Sequence, residues 1–329
     1  MSIIVQEQVS LAPLTIYNIG GPCRYLVQAR DVDELKEAIA YAARERVPFF
    51  LLGAGSNMLV ADQGFPGVAI RMTSQEIKVE GERLIVDAGI MMARAVLASA
   101  QAGLAGFAWG IGIPGTVGGS VRGNAGCFGG EMGQVVESVR LLEFPISNFQ
   151  FPKESSLSDQ KLPIREINNA DCQFNYRDSI FKRHPEWVIL SATLKLVSGD
   201  KEAIRAQVAS TSAERVAKQD IGTKSCGCIF KNTAWGDAGV AKEDLIGRFP
   251  ALAQFADRTH LPVSFLIDKA GLKGTRIGHA IISPKHANFF VNQGGATAAD
   301  IRALIMLAKE RVKETFGVAI EEEIQYIGF

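Results

Sequence analysis

The sequence predicts an α+β fold of two or three lobes, and three observations carry that prediction. Segments with helical spacing alternate with short apolar segments of strand composition along 329 residues, more than one typical domain needs. Residues 103–133 hold 12 of the 33 glycines, a density that suits backbone packed closely against something. Two polar, irregular stretches, 145–169 and 233–262, interrupt the regular elements and read as a surface excursion and an insertion.

The elements follow in order. Residues 31–44 predict an amphipathic helix: Asp31 can cap it, Glu34 stands at the capping-box position, and Leu35, Ala38, Ile39 and Ala42 share one face. Pro48 precedes a short apolar strand at 49–52, which runs into Gly53-Ala54-Gly55-Ser56-Asn57. A second strand, 58–60, ends at Gly64, Pro66 and Gly67. A strand at 84–87, a helix at 91–102 and strands at 135–142 and 187–197 come next, then a helix at 201–218. Near the end, Ile301, Leu304, Ile305, Ala308, Val312 and Phe316 keep helical spacing, Gly317 stops that helix, and a strand is expected over 318–327. The main boundary is expected near 198–200.

Charge and cysteine usage narrow the function. Thirty-five basic residues balance 35 acidic ones, which argues against coating nucleic acid or binding a membrane through a polybasic surface. Cys23, Cys127, Cys172, Cys226 and Cys228 are odd in number and lack C-x-x-C spacing, so neither a zinc site nor a disulfide framework is expected, and a reducing cytoplasm suits them. The first ten residues lack the pattern of a signal peptide. Residues 95–121 are uncharged, yet their seven glycines and Pro114 would break a spanning helix.

The glycine loops are the chemistry-bearing feature. A strand followed by Gly53-x-Gly55 invites a Rossmann reading, but no third glycine is in place and the next segment is strand-like. Glycines nevertheless let successive N–H groups converge on a phosphate, and Ser56 and Asn57 add side-chain donors. Ile113, Pro114, Gly115, Thr116, Gly118, Gly119 and Ser120, followed by Asn124 and Gly126, offer a second such set. The two loops could grip a pyrophosphate, the reading this chemistry favours over tight turns in a glycine-rich core.

Taken together, 18–21 (Asn-Ile-Gly-Gly), 53–60, 112–119 and 124–126 resemble the FAD-binding half of the UDP-N-acetylenolpyruvoylglucosamine reductase family. The resemblance continues through 174–179, 225–232, 270–274, 285–289 and 321–328, almost the whole chain. It implies a flavoprotein of the vanillyl-alcohol-oxidase (PCMH) type. The expected division is an FAD-binding domain at 1–199 (subdomains of about 1–70 and 71–199), a substrate-binding α+β domain at 200–317, and a C-terminal strand, 318–329, carrying a catalytic glutamate. FAD would be bound non-covalently, NADPH would be the electron donor, and the substrate would be UDP-N-acetylglucosamine enolpyruvate. A cytoplasmic monomer is expected.

The resemblance also assigns roles. Arg177 matches the family's catalytic arginine, whose fork of donors suits a carboxylate and a developing enolate. Glu323 matches the catalytic glutamate, either polarising the intermediate or supporting proton delivery. Cys228 stands where the family more often has serine, as proton donor. A thiol of ordinary pKa ~8.5 is a better acid than an alcohol, provided that nearby cations leave it protonated. Tyr176, Ser179, Ser225, Lys231 and Asn232 are candidates for substrate contacts, and no metal is required. A flavin oxidase on the same scaffold and a non-catalytic binding protein are the alternatives. The segment between Ser179 and Ser225 is short and lacks tyrosine, like the branch of the family without a tyrosine-bearing loop.

Overall fold

A computed structural model describes residues 3–144, 162–220 and 222–329. They form two compact units. The first is drawn from Met1–Val9, Pro22–Ala54 and Phe65–Ala217, and the second from Ser10–Gly21, Gly55–Gly64 and Lys218–Phe329. This differs from the boundary expected near 198–200. The helix Lys201–Lys218 buries Ile204 and Val208 in a core of the first unit, which carries that unit on to residue 217.

Among the described residues, the first unit is built on two larger sheets, each with its own apolar core. One sheet orders Val5–Ser10, Pro22–Ala29, Phe65–Met72 and Phe49–Leu52, with parallel pairing between the last three. The helix Val32–Glu45 covers it. The Asp31 carboxylate accepts from the Glu34 N–H (2.8 Å), and Leu35, Ala38, Ile39 and Ala42 are fully buried against Val27, Val68 and Ile70. Glu34 does not close the expected capping box; its carboxylate takes the Arg30 N–H (2.8 Å) and the Arg30 guanidinium. The second sheet is antiparallel, in the order Ile164–Asn168, Val136–Glu143, Trp187–Lys195, Arg83–Asp87, Ile77–Glu80. It packs on the helix Met92–Ala102 through Leu84, Val86, Val96 and Leu194.

Of the stretch expected as a surface excursion, residues 145–161 lie outside the described residues. Ile164–Asn168 is an edge strand instead of irregular chain. Only Ile167 of its five residues is buried, too sparse an alternation to announce a strand.

The second unit is built around the helix Ala298–Phe316, where Thr297 caps the N-terminus and Gly317, in the left-handed region, ends it. Ile301, Leu304, Ile305 and Ala308 bury against the sheet Arg276–Ile277, Ala280–Ile282, Phe290–Asn292. The stretch 233–262 is less irregular than expected. Thr233–Ala234 pairs with His260–Leu261 and closes it, and Leu245, Leu252 and Phe255 carry it into the same core. The last strand is shorter than 318–327: Gln325–Ile327 pairs in parallel with Met58–Val60, with one isolated bridge earlier at Glu322. Among the described residues no helix is long and apolar enough to cross a membrane.

Candidate functional site

In the first unit Gly53, at the start of the first glycine loop, lies against Thr116 of the second. A Cβ on Gly53 would lie 3.0 Å from Thr116 Oγ1, so a larger residue there would wedge the loops apart. Thr116 caps the short helix Val117–Arg122 by accepting the Gly119 N–H (3.3 Å). The amides of that helix are spent inside the chain: Val117 donates to the Ile90 carbonyl, Gly118 to Ala88 and Ser120 to Thr116. What Gly118 contributes is therefore close approach to Ala88, not a donor.

The residues fit a large anionic ligand such as FAD. The loops are small and side-chain-poor where they approach each other, and an isolated bridge between Met91 and Thr116 holds the second loop. Arg122, at the end of the capped helix, is half-buried, and its guanidinium makes no hydrogen bond or ion pair among the described residues. Burial holds its pKa below the usual arginine value, and Asp178 opposes that. Motif spacing did not point to Arg122. Its signal was only a lone cation at the end of a long uncharged stretch.

Arg177 sits in the same unit on a two-residue hairpin turn. Asn175 and Asp178 exchange both backbone hydrogen bonds (3.0 Å each), leaving Tyr176 and Arg177 at the tip. Arg177 has φ 52°, a left-handed conformation that glycine would adopt with less strain. Its Nη2 donates to the Gly126 carbonyl (2.8 Å), and Asn124 Nδ2 donates to the Asn175 carbonyl (2.8 Å). Asn124 is fully buried and also accepts the Gly133 N–H (2.9 Å). Asn124 and Gly126, expected at the cofactor, thus hold the turn that presents Arg177. Ser179 is fully buried and donates its hydroxyl to the Arg122 carbonyl (2.7 Å), which ties the same loop together.

The second unit brings Cys228 and Glu323 into one small ribbon. The Glu323 N–H donates to the Ile229 carbonyl (2.7 Å), the Lys231 N–H donates to the Glu321 carbonyl (2.9 Å), and Phe230 faces Glu322. Asn57, expected as a cofactor donor, gives its side-chain amide to the Glu323 carbonyl (3.1 Å), and its own carbonyl accepts the Gln325 N–H (3.0 Å). The neighbouring acids have cationic partners: Glu321 pairs with Lys231 (2.5 Å) and Glu322 with Lys309 (2.8 Å). Asn232 accepts the Val263 N–H (3.2 Å) at the start of the helix Val263–Lys269. Ser225 is buried, and its hydroxyl has no hydrogen-bond partner among the described residues.

The two neighbouring thiols differ. Cys228 is half-buried, whereas Cys226 is buried beside Tyr17. Burial pushes the Cys226 thiol up to about 12, with Tyr17 opposing the shift and the Glu323 charge adding to it. Cys226 therefore stays protonated at neutral pH, a poor nucleophile. Among the described residues no group of three His, Cys, Asp or Glu could hold a metal ion.

Comparison with known proteins accounts for both units. Residues 23–145 match the model of an FAD binding domain, and 219–327 match that of the UDP-N-acetylenolpyruvoylglucosamine reductase C-terminal domain. The chain is 34% identical over 325 residues to the UDP-N-acetylenolpyruvoylglucosamine reductase of Lactobacillus delbrueckii subsp. bulgaricus, covering 98% of this chain and 95% of that one. It is also 34% identical over 328 residues to the Synechococcus sp. (strain JA-3-3Ab) reductase, with 98% and 91% covered. The crystal structure of UDP-N-acetylenolpyruvylglucosamine reductase from Thermus caldophilus superimposes with a TM-score of 0.73 at 31% identity, over 99% of each chain. Matches that span both units and nearly the full length of the relatives place the chain in the UDP-N-acetylenolpyruvoylglucosamine reductase family.

Proposed function

We propose that this chain reduces UDP-N-acetylglucosamine enolpyruvate to UDP-N-acetylmuramate in peptidoglycan precursor synthesis, with Cys228 as the proton donor. When bound, FAD supplies hydride, taken from NADPH, to the vinyl carbon of the substrate. The chain's own residues manage the resulting charge and the second hydrogen. Arg177, on its strained turn, holds the substrate carboxylate and stabilises the enolate that develops on it. Cys228 then gives its Sγ proton to the neighbouring carbon. Glu323, held on the adjoining segment by its N–H bond to Ile229, supports delivery of that proton. Gly53, Ala54, Gly55, Ser56, Ile113, Pro114 and Gly115 approach the cofactor, while Tyr176, Ser225 and Lys231 contribute to substrate binding. The observation that supports this most directly is the Glu323 N–H bond to Ile229, which fixes the glutamate beside the residue after the thiol. In this reading the enzyme is a cytoplasmic monomer, which sedimentation of the purified chain checks.

The test is anaerobic flavin absorbance. NADPH bleaches the flavin of the purified protein, and UDP-N-acetylglucosamine enolpyruvate restores it. Cys228→Ala keeps the first step and loses the second, while Cys228→Ser keeps both. Unchanged substrate-driven recovery in the alanine variant would refute the assignment of the acid.

A further inference from the structure

Residues 285–289 (Lys-His-Ala-Asn-Phe) have no role in the reaction as described, yet they flank the proton donor. Cys228 faces Phe289 in an antiparallel bridge, and the Ile229 N–H donates to the Asn288 carbonyl (2.9 Å). On the other side run residues 321–323, joined through Ile229 and Lys231. Residues 228–231 are thus the middle of three extended segments. Both backbone groups of Phe230 are completed by one side chain: its N–H donates to Asn288 Oδ1 (3.0 Å), and Asn288 Nδ2 donates to its carbonyl (2.8 Å). Asn288 and Phe230 are each 1% exposed, so water does not substitute for either bond.

We infer that Asn288 is a positioning residue for the proton donor. A primary amide offers a donor and an acceptor side by side, as a neighbouring strand would, and Asn288 supplies them where the flanking segment's backbone does not. It holds the middle segment in register with 321–323, and that register decides how Cys228 Sγ is presented relative to Glu323. An apolar side chain at 288 would leave two buried backbone groups unpaired, and the segment would twist to satisfy them. The inference rests on Cys228 being the acid, and the experiment separates the two ideas.

The holoenzymes compared are wild type, Asn288→Ala, Cys228→Ala and the double variant, followed anaerobically by flavin absorbance. Asn288→Ala is expected to keep NADPH-driven bleaching within about twofold of wild type. Its substrate-driven recovery should fall at least tenfold, on the order of what a misplaced general acid forfeits. Added to Cys228→Ala, the same change should cost little more, because the residue through which it acts is already gone. A tenfold loss in both backgrounds would mean a general structural role and overturn the inference, as would wild-type recovery in Asn288→Ala. Should the alanine variant lose its flavin or fail to fold, Asn288→Asp, isosteric and still offering an acceptor to the Phe230 N–H but no amide donor to its carbonyl, takes its place in the same cycle, and the same two results decide for or against the inference. If substrate fails to restore even the wild-type flavin, the acid assignment falls and the inference with it.

Discussion

Replacing Gly118 by alanine tests how tightly the second glycine loop is seated. A Cβ at this position would lie 2.7 Å from Ala88 Cβ and 3.2 Å from the Ala88 carbonyl oxygen. Carbon atoms settle at about 3.5–4.0 Å, so the loop must retreat by roughly 1 Å. Neither side gives easily. Ala88 is tied to the sheet through its N–H to the Leu190 carbonyl (2.8 Å), and the loop is tied to Ala88 and Ile90 through the Gly118 and Val117 N–H groups (2.9 and 2.8 Å). Overpacking of this kind costs about 1–3 kcal/mol, and weakening the two backbone bonds adds roughly 1 kcal/mol each. Better helix propensity returns about 0.5–1 kcal/mol, leaving a net loss of about 2–4 kcal/mol. For a unit of roughly 200 residues that lowers Tm by about 5–15 °C, and FAD titrated by fluorescence quenching should bind more weakly. Gly119 is the control: its added Cβ meets only Thr116 Oγ1, at 3.5 Å, so Gly119→Ala should leave Tm unchanged or slightly higher. If Gly118→Ala melts with wild type and binds FAD equally well, the steric reasoning is refuted.

Other outcomes follow from single contacts. Asp62 accepts the N–H groups of Ala298 and Ala299 (2.8 and 3.1 Å) at the start of the long helix, so Asp62→Ala should cost about 1–2 kcal/mol in urea unfolding. Ser179→Ala removes a bond to the Arg122 carbonyl, and about 1 kcal/mol of stability should go with it while KM stays put; a large rise in KM would instead mark a substrate contact. The Glu34 carboxylate is held down to about 2 by its hydrogen bonds to Arg30. A depressed acid stabilises the fold above its unfolded pKa and loses that contribution as pH falls through the folded one. Wild type should therefore exceed Glu34→Gln in stability at neutral pH, with the difference fading between about pH 4.5 and 2 in acid titrations followed by circular dichroism. If Cys228 is the acid, the alkaline limb of turnover should change in Cys228→Ser.

Much of the fold was legible because its signals are local. The helices Val32–Glu45, Lys201–Lys218 and Ala298–Phe316 are announced by their local sequence, the first also by Asp31 at its start and the last by Gly317 at its end. What escaped reading depends on distant partners. Pro22–Ala29 and Phe65–Met72 form the parallel centre of a sheet, and Pro66 and Gly67 disguised the second as a turn. The first compact unit runs to 217 instead of ending near 198–200 because the helix Lys201–Lys218 packs back into its core, and no spacing rule shows that 10–21 and 55–64 belong with the chain beyond 217. Cys228 and Glu323 are singled out by motif register alone, since a cysteine after glycine and one of three consecutive glutamates carry no signal by themselves. That Asn57 and Asn124 spend side-chain bonds on the segments bearing Glu323 and Arg177 is a matter of geometry that no spacing rule reaches.

The parallel pairing of Gln325–Ile327 with Met58–Val60 bears on how the molecule is made. During synthesis residues 58–60 leave the ribosome more than 260 residues ahead of their partner. Two early segments of the second unit must wait unpaired while the first unit, whose chain is complete by residue 217, has all it needs to form. Closing a loop of that length is entropically slow and happens late. The segment bearing Glu323, and with it the bonds that Asn57 of the first glycine loop makes to Glu323 and Gln325, is thus set in place in one of the last steps of folding, after the second glycine loop has had its partners in reach.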